Sequence, residues 1–214
     1  MAKKIFALCS MMLVCGAALF AQEEENSGKK PGILSAGLGG SFSADFSSYS
    51  LTSAGKDALG DENLTQIGGG FFAFFDIKYV EYDIGMSFLK DTEAGMSMTG
   101  LEMQLLGKYP FAAGGRLTML PLIGVDFKMI LAQNPAIDGE SSVEMLSNVW
   151  FKWGWGADIA LTERIYLRPR VLYGIGTNSK SQKEQIDHAN RTAELIEKII
   201  NHGFDIGFAA GYRF

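Results

Sequence analysis

Eight stretches of this chain alternate apolar and polar residues with a period of two, and that repeat limits the fold more than any other feature. In 33–46, Leu34, Ala36, Leu38, Phe42, Ala44 and Phe46 fall on one face, while Ser35, Gly37, Gly39, Ser41, Ser43 and Asp45 fall on the other. Successive side chains of a β-strand point to opposite faces, so this pattern predicts a strand with two different environments. The same alternation recurs in 70–79, 82–88, 101–109, 118–129, 151–161, 165–174 and 204–214. Eight such segments predict an all-β fold, an eight-stranded antiparallel up-and-down β-barrel over 33–214.

The connections alternate in length. Val80-Glu81, 110–116 and 162–164 read as short turns, and 47–66, 91–97, 132–147 and 177–202 as long loops. With an even strand count this puts both ends of the barrel segment on the short-turn side, the organisation of membrane-spanning barrels.

Period two does not say which face is outside. Most of these segments reach the 9–11 residues that a tilted membrane strand needs. Tyr79, Tyr82, Tyr109, Tyr212 and Phe214 lie near segment ends, where an interfacial girdle would sit. Gly is 26 of 214 residues, well above the usual share of about 7%, and the polar face is rich in it, which suits a narrow lumen. That face also carries charge of both signs. Asp45, Asp76, Asp83, Glu102, Asp126, Asp158 and Asp205 oppose Lys78, Lys108, Lys128, Lys152, Arg168, Arg170 and Arg213. A buried unpaired charge is costly, so a balanced set predicts a paired lumen network. An eight-stranded interior is just wide enough for side chains to fill, so a salt-bridged plug is expected rather than an open pore. Arg168 and Arg170, two apart on one strand, could instead hold an anion, but Asp126, Asp158 and Asp205 are available to neutralise them. These features together predict a transmembrane barrel, with lipid outside and charge inside. A soluble lipocalin-like carrier is the inverted alternative.

The first 21 residues read as an address. Lys3 and Lys4 precede an apolar run over 5–20, and Ala21 precedes an acidic cluster. That is the layout of a cleaved signal peptide, and the run is short for a spanning helix. Cys15 as a lipid acceptor is a second reading. Cleavage after Ala21 would remove both cysteines, Cys9 and Cys15, leaving a solvated leader at 22–32 and then the barrel. The formal net charge is −5, and no basic run exists, which argues against a nucleic-acid partner. Mean hydropathy of +0.09 argues against a bundle of membrane helices.

The stretches 101–111 (LEMQLLGKYPF), 120–128 (LPLIGVDFK) and 155–176 (WGADIALTERIYLRPRVLYGIG) resemble the strand, short turn and strand of small bacterial outer-membrane barrels. The likeness is to the OmpW and OmpX kind, and to the outer-membrane β-barrel domain family common in spirochaetes and Bacteroides-like bacteria. The ending Ala209-Ala210-Gly211-Tyr212-Arg213-Phe214 looks like the signal read by the outer-membrane assembly machinery, with Tyr212 and Phe214 as its aromatic elements. The resemblance implies a bacterial outer-membrane location. It implies a structural role or the passage of small or hydrophobic molecules, with outer-membrane lipid and the assembly machinery as partners. A surface adhesin or host-factor-binding barrel acting through its long loops is the alternative.

One segment breaks the period. Ile186, Ala189, Ala193, Ile196 and Ile200 are spaced as one face of a helix over 181–201. Ser181 and Glu184 read as a capping box, and Gly203 as a C-terminal stop. A helical extracellular loop is therefore expected, capping the mouth or meeting a partner. His188 and His202 both fall here, and His202 reads as a cation at the helix end. No nucleophile–base spacing and no phosphate-binding Gly-rich loop followed by Lys are present. No enzyme activity, metal or cofactor is expected.

Overall fold

A computed structural model describes residues 34–51, 63–92, 95–134, 148–177 and 196–214. The expected signal peptide at 1–21 and leader at 22–32 lie outside the described residues. So do His188, the capping pair Ser181 and Glu184, and parts of all four long loops.

The described residues form nine strands: β1 (Leu34–Leu51), β2 (Asn63–Ile77), β3 (Val80–Asp91), β4 (Ser97–Lys108), β5 (Phe111–Gly114), β6 (Leu117–Asn134), β7 (Asn148–Ala160), β8 (Ile165–Thr177) and β9 (Ile196–Arg213). Every pairing is antiparallel. Eight strands follow chain order, and β1 pairs with β9 while β4 pairs with β6, so the sheet closes on itself. This is the closed eight-stranded barrel that the alternation predicts. The short β5 stands outside the ring and folds onto the start of β6 through Gly115 and Arg116.

The register fixes the barrel's dimensions. A path of paired residues leaves β4 at Lys108 and passes Leu122, Gly154, Leu172, Asp205, Ser43, Gly68 and Leu89 in turn. It returns to β4 at Met98, ten residues from its start. With eight strands, that stagger tilts the strands by about 40° to the axis. All nine residues on this path face inward.

The interior is packed by setting large side chains against glycines. A Cβ at Gly211 would run into the Tyr166 ring, and one at Gly207 would lie 2.8 Å from Arg170 Nε. Glycine on these walls makes room for an aromatic ring and a guanidinium inside a narrow ring of strands.

Three expectations are corrected. The turn between β2 and β3 is Lys78-Tyr79, with Lys78 at φ 30°, so Val80 and Glu81 belong to β3. Residues 196–201 are not helical. They continue β9, pairing with β1 up to Leu51. Both faces of a helix and of a strand can place Ile196 and Ile200 on the same side, and the open edge of β1 selects the strand. His202 is consequently not a helix-terminal cation but an outward residue of β9. Finally, β1, β2, β6 and β9 run further toward the long-loop end than the alternation does, because cross-strand hydrogen bonds continue after the apolar face has stopped.

Candidate functional site: a charged lumen inside an apolar wall

The inward row of each strand brings thirteen of the fourteen lumen charges proposed from sequence into one interior. Near the short-turn end, Arg168 is the hub. It is 2% exposed. Its Nε and Nη2 donate to the two carboxylate oxygens of Asp158 at 2.6 and 2.9 Å, Nη2 lies 2.8 Å from Asp76, and Nη1 donates to Glu81. The guanidinium also lies 5.0 Å from the ring centres of both Phe74 and Tyr166. Lys108 donates to Asp76, and Arg213 reaches Asp158 at 3.3 Å. One step up, Arg170 donates to Glu81 at 2.9 Å and to Asp83, with its guanidinium 4.2 Å from the Phe72 ring centre.

Toward the long-loop end two lysines take over. Lys152 pairs with Asp126 at 2.7 Å and with Asp205, and Ser43 donates to Asp205. Lys128 pairs with Asp45 at 2.7 Å and lies 3.6 Å from Glu102. With its amide oriented to satisfy both neighbours, Gln104 joins the two halves. It donates to Asp83 at 3.2 Å and accepts from Lys152 at 3.0 Å.

Apolar residues close what the charges leave. Leu106, Leu120, Leu122 and Leu172 form one buried cluster, and Phe72, Phe74, Tyr166 and Ala209 another. Leu89, Met98 and Ile130 pack together toward the long-loop end. Between the charged groups lies a cavity of about 10 Å³, lined by Asp83, Glu102, Gln104, Arg170 and Asp205 among others. That is room for about one water. Among the described residues no cluster of His, Cys, Asp or Glu is placed to hold a metal ion.

Lys78 stands apart from this network. It is exposed on the β2–β3 turn, with its ammonium 4.9 Å from the Tyr79 ring centre. Glu81 takes its place among the lumen charges, fully buried between Arg168 and Arg170. The signal for Glu81 was in the sequence. Extending the outward phase of Tyr82 and Ile84 back by one residue puts Glu81 on the inward face beside Asp83. The lumen leucines and Tyr166 were also missed. Tyr166 bonds Ser35 at 2.8 Å and is fully buried.

The outer wall is the reverse of the lumen. Leu38, Phe71, Ile123, Val171, Ile206 and Phe208 are exposed, each on the face opposite the charges. A water-soluble barrel would bury such residues, and a contiguous apolar surface of this extent marks contact with another apolar phase. Aromatic pairs ring both ends of the belt. At the short-turn end Tyr79 stacks on Tyr109 at 6.5 Å and Tyr212 meets Phe214 at 5.3 Å. At the other end Tyr173 meets Phe204 at 4.9 Å, and His202 stacks on Phe46 at 5.4 Å. Arg164, in the exposed β7–β8 turn, donates to the Tyr212 hydroxyl at 2.9 Å, which raises its pKa above the ordinary value. Tyr212 and Phe214 face outward, and the Phe214 N–H donates to the Leu34 carbonyl at 3.0 Å.

No protein-family model matches the sequence, and neither does any curated protein. Among solved structures, the chain is similar to Neisserial surface protein A at 8% identity and a TM-score of 0.46, covering 87% of this chain and 100% of that one. It is similar to the outer membrane protein OprG from Pseudomonas aeruginosa at 13% identity and a TM-score of 0.41, covering 87% and 98%. It is also similar to the attachment invasion locus protein Ail of Yersinia pestis at 10% identity and a TM-score of 0.38, covering 86% and 100%.

Proposed function

We propose that the chain is an integral outer-membrane β-barrel with a closed lumen, and that its role is structural rather than that of an open pore. One observation carries this reading. Between the aromatic girdles the outward rows of the barrel strands are apolar, while the inward rows hold the ion-paired network. Closure leaves no strand edge in the bilayer, so every backbone group is satisfied without water. Leucine clusters and salt bridges fill the lumen, so polar solutes have no continuous path through it. In this reading residues 1–21 direct export, and the outward Tyr212 and Phe214 serve as the assembly signal.

The test compares residues 22–214 refolded in detergent micelles with the same chain in plain buffer. Unheated and boiled samples are run on a denaturing gel. A mobility shift that needs detergent supports membrane insertion, and folding in plain buffer without detergent overturns it. The closed lumen is tested in a planar bilayer. Steady single-channel conductance from the inserted barrel would contradict it.

A further inference from the structure

The apolar wall is not uniform. Ala73 on β2 is a small outward residue ringed by larger ones, Leu38 on β1, Phe71 on its own strand, Ile84 and Met86 on β3, and Leu101 on β4. Together they line an open notch of about 410 Å³ on the outer wall. Its lining is almost wholly apolar, so nothing in it would bind a polar solute. A void of that size within the bilayer would leave its lining without dispersion partners, and acyl chains are the apolar material on hand to fill it. The notch is wide enough to seat a stretch of one acyl chain against Ala73.

Charge decides which lipid. The outward row of β3 runs Tyr82, Ile84, Met86, Phe88 and Lys90, so the strand that borders the notch carries an exposed lysine at its long-loop rim, offset to one side of the notch by the strand tilt. From Ile84 to Lys90 is six residues, about 20 Å along the strand and, at a tilt of about 40°, about 15 Å along the barrel axis. A chain lying in the notch therefore brings its headgroup level with Lys90. Resting on the membrane-spanning reading above, the geometry points to a retained lipid site on the β1–β4 wall. One acyl chain fills the notch at Ala73, and an anionic phosphate headgroup meets Lys90.

The experiment uses the protein isolated in detergent micelles, offered dipalmitoyl phosphatidylglycerol or dipalmitoyl phosphatidylcholine, with adducts counted by native mass spectrometry. The expected result is one phosphatidylglycerol retained per barrel, several-fold above phosphatidylcholine. Ala73→Phe fills the notch and is expected to cut that adduct at least fivefold. Ala157→Phe, at an outward alanine of β7, leaves it unchanged. Lys90→Gln is expected to abolish the preference between the two lipids while keeping the Ala73 dependence. Equal adducts from the Ala73→Phe and Ala157→Phe variants overturn the notch, and a preference that survives Lys90→Gln overturns the headgroup assignment. The heat-shift gel is run on the same samples. Loss of the shift there counts against the membrane reading, whereas a shifted barrel that retains no lipid counts against this site alone.

Discussion

Arg168→Met removes one cation from the most connected position in the lumen, and its cost can be worked from the geometry. Around Arg168, four carboxylates (Asp76, Glu81, Asp83 and Asp158) face four cations (Lys108, Arg168, Arg170 and Arg213). The substitution leaves four carboxylates facing three cations, in a region where Arg168 itself is 2% exposed. Each charge-assisted hydrogen bond is worth about 1.5–3 kcal/mol. The losses do not add, because Lys108, Arg170 and Arg213 still hold the same carboxylates. Breaking a buried pair from one side costs about 3–5 kcal/mol, and that is the loss expected here. Equilibrium urea unfolding in lipid vesicles, followed by the fluorescence of Trp150, Trp153 and Trp155, measures it. Arg168→Lys keeps the charge but cannot make the two-pronged bond to Asp158 or fill the gap between the Phe74 and Tyr166 rings, so it should recover only part of the loss. Removing the matching charge in Arg168→Met/Asp158→Asn should cost less than the two single changes summed, by at least about 1 kcal/mol. A loss under about 1 kcal/mol for Arg168→Met, or strict additivity in the double variant, would refute the view that this network is energetically coupled.

Ile123→Arg puts a charge on the outer wall at a residue 54% exposed. It should cost about 2–4 kcal/mol in vesicles, and an unchanged unfolding midpoint would mean that this face does not meet lipid. Gly211→Ala drives a methyl group into the buried Tyr166 ring and should destabilise by about 1–3 kcal/mol. Pairing it with Tyr166→Leu should relieve the clash, and a double variant no better than additive would argue against that contact. Lys78→Val places a β-branched residue at φ 30° and should cost about 1 kcal/mol, whereas Lys78→Asn should be neutral or better. Equal stability of the two would mean that the turn does not hold that backbone. Tyr166→Phe loses the bond to Ser35 and should cost about 1 kcal/mol in the same unfolding assay, with no effect if the two hydroxyls are solvated independently.

Much of the architecture was legible because a barrel strand writes both of its environments into the sequence. Leu38 and Ser41 differ in kind because one meets the outer phase and the other the lumen. The same alternation places Asp126, Lys128 and Lys152 inside without any knowledge of their partners. Pairing is a different matter. Nothing local says that Lys128 meets Asp45 while Lys152 meets Asp205, since those partners come together only through the ten-residue stagger. The turn at Lys78-Tyr79 was misplaced by two residues because a lysine at positive φ carries none of the Asn or Gly signals of tight turns. That slip turned Glu81 from a lumen anion into a turn residue and put Lys78 inside. The stretch 196–201 misled for another reason. An apolar spacing of four fits one turn of helix and two repeats of a strand equally well, and only the partner strand β1 separates them. The lumen leucines escaped notice because an apolar residue on the polar face looks like noise until other strands of the closed barrel bring three more against it.

The ladder between β1 and β9 has a consequence for how such a protein is made. It runs from Ser35 opposite Arg213 to Leu51 opposite Ile196, joining the first barrel strand to leave the ribosome with the final one. Contacts of this sequence separation form slowly, and β1 must wait through the synthesis of nearly every other strand with one edge bare. A bare edge with an apolar face is a template for aggregation. The long seam therefore leaves an apolar-faced strand with one edge unpaired throughout the interval between translation and closure. The barrel's durability once closed and its vulnerability beforehand come from the same row of hydrogen bonds.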